Sequence, residues 1–257
     1  MASILHSGTK TPEPYSIKKN SISFSRLSKL FSDSPPCEIK NGQQILRIGI
    51  VYSSGRHEQC TGQIGLVSDA LYIPEILLEV NHICLQNSTE LSVESFLDID
   101  VSEQQKRNLN FILTGTGDIN MMTAKCMQLY GSKLKVYFDP PNSANIRGIK
   151  KYYSYPSFPN EGALIACANP WSQGDRFIII AGGIEAIGTV AASKLLLDFL
   201  RNKIKLGDDL FDQTVPAHIV EGECRDYEPM QIHPKRKCDP QIEVTNLSED
   251  VGYSVVE

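Results

Sequence analysis

The sequence predicts an α/β protein: one mostly parallel sheet with helices on both faces, plus a small C-terminal β appendage. Three observations predict it. Apolar runs such as Asn110–Leu113 and Phe177–Ile180 are continuous rather than alternating, which implies a sheet buried on both faces. Segments of helical period lie between such runs and supply the cover. Two of the runs end in glycine-rich turns, at Gly115–Gly117 and Gly182–Gly183, that lead straight into a helix. The composition suits this reading, with 257 residues, 41% hydrophobic, 21% charged and a formal net charge of −5. No apolar run reaches the roughly 18–20 residues of a transmembrane segment. The mild acidity also argues against a specific nucleic-acid binder, which needs a basic surplus.

Taken in order, residues 1–43 read as a flexible, Ser-rich basic arm. Met1–Ser34 holds nine serines and two acidic residues, Glu13 and Asp33, and runs into Pro35-Pro36. That composition buries too little apolar surface to offset its ordering entropy. Phe24, Leu27, Leu30 and Phe31 fall at helical spacing beside Arg26 and Lys29, so the arm is a candidate for docking on a partner or a membrane surface. With no early apolar segment for secretion, and seven scattered cysteines expected as reduced thiols, the expected location is cytoplasmic.

Residues 44–205 form the expected α/β domain. Ile45–Tyr52 is a strand that ends at Ser53-Ser54-Gly55-Arg56-His57. Val80–Leu85 is a second candidate strand and Phe96–Val101 a weaker third. Asn110–Leu113 is a buried strand stopped by Thr114-Gly115-Thr116-Gly117-Asp118, and a helix follows over Ile119–Tyr130. Lys135–Phe138 reads as a strand ended by Asp139-Pro140-Pro141, with an edge segment near Tyr152–Tyr155 and a further strand at Ala163–Cys167. Phe177–Ile180 is the strongest strand, followed by a helix over Thr189–Leu200. Residues 206–257 make the appendage, with Val215–Val220 as a strand whose Pro216 suits an edge and Ile242–Val244 as another.

The chemistry-bearing stretch runs from Phe177 through Ala181-Gly182-Gly183 to Gly188-Thr189. A buried strand that turns through glycines into a helix exposes backbone N–H groups and a positive helix end, which suits an anion. A Walker loop fails for want of a lysine between Gly188 and Thr189, and a dinucleotide fingerprint fails at Ala186. Gly182, Gly183, Gly188 and Thr189 resemble the turn of the LOG-like, or SLOG, Rossmann-like nucleotide-binding proteins, with an insertion and with Ala181 in place of proline. The family's hydrolytic glutamate has no counterpart in Val190–Ser193, so this resemblance implies nucleotide sensing rather than hydrolysis. A second resemblance spans roughly residues 108–200. Phe111–Asn120, followed by Ala163–Trp171 and the glycine turn, is similar to the α/β modules of archaeal S-layer-type proteins, with Thr116 and Gly117 replacing a glycine and a proline. It implies a fold with two paired turns, and no surface-lattice role, since that would need secretion.

Both glycine turns and the Ser53–His57 loop lie at carboxyl ends of expected strands, one edge of a parallel sheet. The candidate site for a nucleotide or other anionic small molecule is therefore Ser53, Ser54, Arg56, Gly115, Thr116, Gly117, Asp118, Gly182, Gly183, Gly188 and Thr189. The hydroxyls and Arg56 serve as donors, and Asp118 or Asn120 as a ribose partner or helix cap. The competing reading is that the glycines permit tight packing and that Thr189 and Asp118 are ordinary caps. Three functions follow: a ligand sensor or regulator, a nucleotide glycosidic-bond hydrolase using Glu185 or Asp118, or a structural or partner-binding domain without a ligand. No cofactor is assigned. His57, Cys60, Cys224, His233 and Cys238 match no tight zinc spacing, Cys126 and Cys167 read as core, Trp171 as a packing anchor, and Pro234–Lys237 as solvated charge.

Overall fold

The structure, a computed structural model, describes residues 37–54, 70–130, 133–139, 143–173, 176–201, 203, 217–223 and 252–256. β1 (Glu38–Lys40) and β2 (Gln43–Tyr52) form a hairpin across Asn41-Gly42, both at positive φ. That is the Asn-Gly two-residue turn whose backbone matches strand twist. Next come α1 (Ile73–Gln86), β3 (Thr89–Leu97), α2 (Glu103–Asn108), β4 (Asn110–Thr114) and α3 (Met121–Tyr130). β5 (Tyr137–Phe138), β6 (Ile146–Arg147) and β7 (Tyr152–Tyr153) form a separate three-stranded sheet. The chain then returns through β8 (Glu161–Ala168), β9 (Phe177–Gly183), α4 (Ala186–Leu200), β10 (Ala217–Glu223) and β11 (Gly252–Val255).

The main sheet is eight-stranded and mixed, with a half-barrel curl, so the expected mostly parallel Rossmann-like sheet is corrected. β3, β2, β4 and β9 run parallel in that spatial order. Beyond β9 every pairing is antiparallel: β8 to β9, β10 to β8, and β11 to β10, while β1 pairs antiparallel with the start of β2. The physical reason is that a continuous apolar run reports burial on both faces and carries no information on direction. β8 and β9 are buried along nearly their whole length, yet only residues 169–176 join them, too few for the crossover of a dozen or more residues that a parallel pair needs.

Other expectations are corrected with it. Val80–Leu85 belongs to helix α1, not to a strand, because Ile73, Ile76, Val80, Ile83 and Cys84 form one buried helical stripe behind a proline in the first turn. The strand expected at Phe96–Val101 lies at Thr89–Leu97, and Lys135–Phe138 shrinks to the two residues of β5 in the small sheet. The C-terminal strands are no appendage: β10 sits inside the main sheet, paired on both sides. Residues 1–36, Ile242–Val244 and the Lys235–Lys237 cluster lie outside the described residues.

Strand alternation divides the core in two. Leu46, Ile48, Ile50, Ile112, Phe177 and Ile179 face α1 and α4. Val51, Phe111, Leu113, Ile165, Ile178 and Ile180 face α3 and the small sheet, where Phe138, Ile146 and Tyr153 are buried against them. α4 sits unusually close to the sheet, since a Cβ on Gly162 would overlap the Gly188 carbonyl and one on Gly188 would overlap that of Glu161. Gly188→Ala therefore forces backbone apart and should cost about 1–3 kcal/mol or more. Gly42, at φ +78 in open space, should cost only about 1–2 kcal/mol as Gly42→Ala, through backbone strain alone. Urea unfolding of the two variants checks the order.

Candidate functional site

The carboxyl-end edge of the parallel block gathers Ser53 and Ser54 after β2, Gly115–Asp118 after β4, and Gly182-Gly183 at the end of β9. The two glycine turns meet back to back. The Gly115 N–H donates to the Ala181 carbonyl at 2.9 Å, and a Cβ on Gly182 would stand 2.9 Å from the Gly115 carbonyl carbon. Gly115 adopts φ +87, which requires a glycine. A Cβ on Gly183 would overlap Gly188 and the Thr189 nitrogen, so these glycines bring sheet and helix into contact. Ser53, Ser54, Thr116, Gly117 and Thr189 are buried, and Asp118 is exposed and accepts a hydrogen bond from the Thr116 hydroxyl. Arg56 lies outside the described residues.

The donors that an anion would need at α3 are already engaged. Asp98, buried at the end of β3, accepts the Met121 N–H at 2.6 Å through one carboxylate oxygen and the Ser54 N–H at 3.0 Å through the other. Asn120 caps the same helix, its Oδ1 accepting from the Met122 and Thr123 N–H groups at 3.0 and 3.1 Å. Its Nδ2 donates to the Thr114 carbonyl at 2.9 Å, and the Thr123 hydroxyl donates to the Gly115 carbonyl at 3.1 Å. The positive helix end thus holds a carboxylate of its own chain. Asp98 has no motif that marks it in sequence; only the fold brings the end of β3 to the start of α3.

The turn into α4 is acidic. Glu185 is its N-cap residue and makes no side-chain cap bond, and the Ile184 N–H donates to the Glu161 carbonyl at 2.9 Å. Glu161 faces Glu221 across the β8–β10 pair. Burial pushes the Glu161 carboxyl above its ordinary range, and the charge of Glu221 adds to the rise.

A cavity lined by polar and charged residues lies at the opposite edge, where β4 and β9 begin. About 310 Å³ in volume, it is lined by Arg107, Asn108, Ser172, Gln173 and Arg176. Two buried asparagines set its walls. Asn169 donates to the carbonyls of Lys106 and Leu109 at 2.8 and 3.0 Å and accepts the Trp171 N–H at 2.9 Å, which ties the 169–176 loop to the end of α2. Asn110 accepts the Phe177 N–H at 3.0 Å and donates to the Arg47 carbonyl at 2.9 Å. The Arg176 Nε donates to the Asn108 carbonyl at 3.1 Å while Nη2 stands 3.4 Å from Glu38. Arg107 is exposed at the rim, and Trp171 packs half-buried on the core beneath. Sequence reading singled out none of the five lining residues, because two arginines more than sixty positions apart form no motif.

The described cysteines, Cys37, Cys84, Cys126 and Cys167, are free. Cys126 and Cys167 bring their sulfurs to 3.8 Å between α3 and β8, and this contact, with burial, pushes the Cys126 thiol well up. Burial likewise pushes Cys84 up to about 12, so neither is an activated nucleophile. Among the described residues no group of three His, Cys, Asp or Glu could hold a metal, and His57, Cys60, Cys224, His233 and Cys238 lie outside them. Among the described residues no helix is long and apolar enough to cross a membrane.

No protein-family model matches the chain, and no curated protein matches it.

Asp98→Ala leaves two buried N–H groups without their acceptor and should cost about 2–4 kcal/mol, read as a fall in the urea midpoint. Glu161→Gln should act in the other direction. The folded-state pKa of Glu161 is raised, so ionising it disfavours the fold, and that penalty is absent below its unfolded pKa of about 4.3. The glutamine variant should be more stable than wild type at pH 7, with the gain vanishing as the pH falls below about 4.

Proposed function

We propose that this protein binds a small anionic ligand, such as a nucleotide or another phosphate- or carboxylate-bearing molecule, as a sensor or regulator. The site of that binding is the cavity at the start of β4 and β9. One observation carries the reading: two guanidinium groups, Arg107 and Arg176, line one cavity whose walls are pinned by the buried amides of Asn110 and Asn169. Guanidinium is suited to paired oxygens, and the volume falls at the lower end of the range of about 300–1,000 Å³ for small-molecule sites. A loop already held by hydrogen bonds loses little entropy on binding. Ser172, Asn108 and Gln173 add neutral groups that orient a ligand, while Glu38, 3.4 Å from Arg176 Nη2, offsets part of the arginine charge. This cavity is favoured over the glycine turns, where Asp98 and Asn120 occupy the α3 donors and Glu185 stands at the start of α4.

A second reading, a structural or partner-binding domain without a ligand, is favoured by the way Asp98 and the glycine contacts consume the carboxyl-end edge. Titration separates the two. Inorganic phosphate and a nucleotide panel should raise the melting temperature and change the emission of Trp171, the chain's single tryptophan, which adjoins Ser172. Arg107→Gln, at an exposed position, should weaken binding about tenfold or more while leaving the unliganded melting temperature unchanged. No shift with any anion establishes the ligand-free reading.

A further inference from the structure

We propose that the β6–β7 hairpin docks the protein on an anionic membrane surface. Ile146 pairs with Tyr153 and Arg147 with Tyr152, and the Gly148 N–H donates to the Lys151 carbonyl at 2.9 Å, so Ile149 and Lys150 stand at the apex of the turn. The inner residues Ile146 and Tyr153 are buried in the core, which anchors the hairpin to the fold. Its outer side is the reverse. Ile149 is 54% exposed and Tyr155, just after the hairpin, 64% exposed. Arg147, Lys150 and Lys151 lie in the same hairpin, and although Arg147 pairs with Asp139 at 3.3 Å, the two exposed lysines leave a local surplus of positive charge on a chain of net charge −5. The cations lie on aromatic faces: Arg147 stands 4.7 Å from the Tyr152 ring centre, and the Lys151 ammonium 4.7 and 4.3 Å from those of Tyr153 and Phe158. This arrangement keeps charged heads beside apolar surface.

The occupant follows from the combination. A polyanion such as an RNA strand or an acidic peptide would engage the cations and leave an exposed isoleucine at the apex unused. An anionic bilayer engages both, since phosphate headgroups meet Lys150 and Lys151 while Ile149 enters the acyl boundary and Tyr155 lies at headgroup level. The proposal shares no residue with the arginine cavity and does not depend on it.

The test is co-sedimentation of the full chain with vesicles of mixed phosphatidylcholine and phosphatidylserine against vesicles of phosphatidylcholine alone. Binding to the mixed vesicles only, weakening with added salt, is expected. Lys150→Ala should reduce partitioning about fivefold, and Ile149→Asp should abolish it, both with unchanged melting temperatures because the side chains are exposed. Three results overturn the proposal: no binding to the mixed vesicles, equal binding to neutral ones, or wild-type binding by both variants, which would assign the membrane contact to residues 1–36.

Discussion

The structure depends on the close approach of α4 to the β8–β9 pair. Gly162, Gly183 and Gly188 remove every side chain from that contact, so helix backbone lies against sheet backbone, and Gly222 of β10 accepts Ile187 in the same way. Ile187, Val190, Ala191, Leu195 and Leu196 can then bury themselves over the central strands. Because β8 and β10 are both built against this helix, the antiparallel half of the sheet is held by the same contact as the parallel half. Glycines that resemble a phosphate-binding turn bring helix and sheet backbone into contact here.

Electrostatics separate the two edges of the sheet. At the carboxyl end, two carboxylates are internal: Asp98 accepts two backbone N–H groups, and Glu161 is buried opposite the exposed Glu221. At the amino end, Arg47 bridges Glu94 and Glu38, Glu38 also meets Arg176, and Arg107 adds a further guanidinium at the rim. The carboxylates of that network hold the arginines in place. Among the described residues, the arginine cavity and the β6–β7 hairpin each gather positive charge on a mildly acidic chain, so an anion there is met by local geometry rather than by a general field.

Some of this was legible in the sequence. β2, β4, β9, α3 and α4 follow from apolar runs and helical stripes, because burial leaves a strong local trace. The β1–β2 hairpin also had a local signal in Asn41-Gly42, a pair that tolerates positive φ, although composition drew residues 37–43 into the arm. Helix α1 was obscured because Val80–Leu85, taken alone, has the residue types of a strand; the stripe is visible only over Ile73–Cys84.

Sequence alone therefore determined β2, β4, β9, α3 and α4 and roughly where each begins and ends, since hydrophobic period is a property of neighbouring residues. Tertiary structure decided direction and use. Whether β8 runs with or against β9 depends on pairing across the sheet, and whether a glycine turn holds a ligand or a helix depends on what stands above it. Asp98 reaches α3 from the end of another strand, and Arg107 and Arg176 line one cavity where Asn169 fastens the loop before β9 to the end of α2. Such groups are distant along the chain and close in space, so no spacing rule could have joined them.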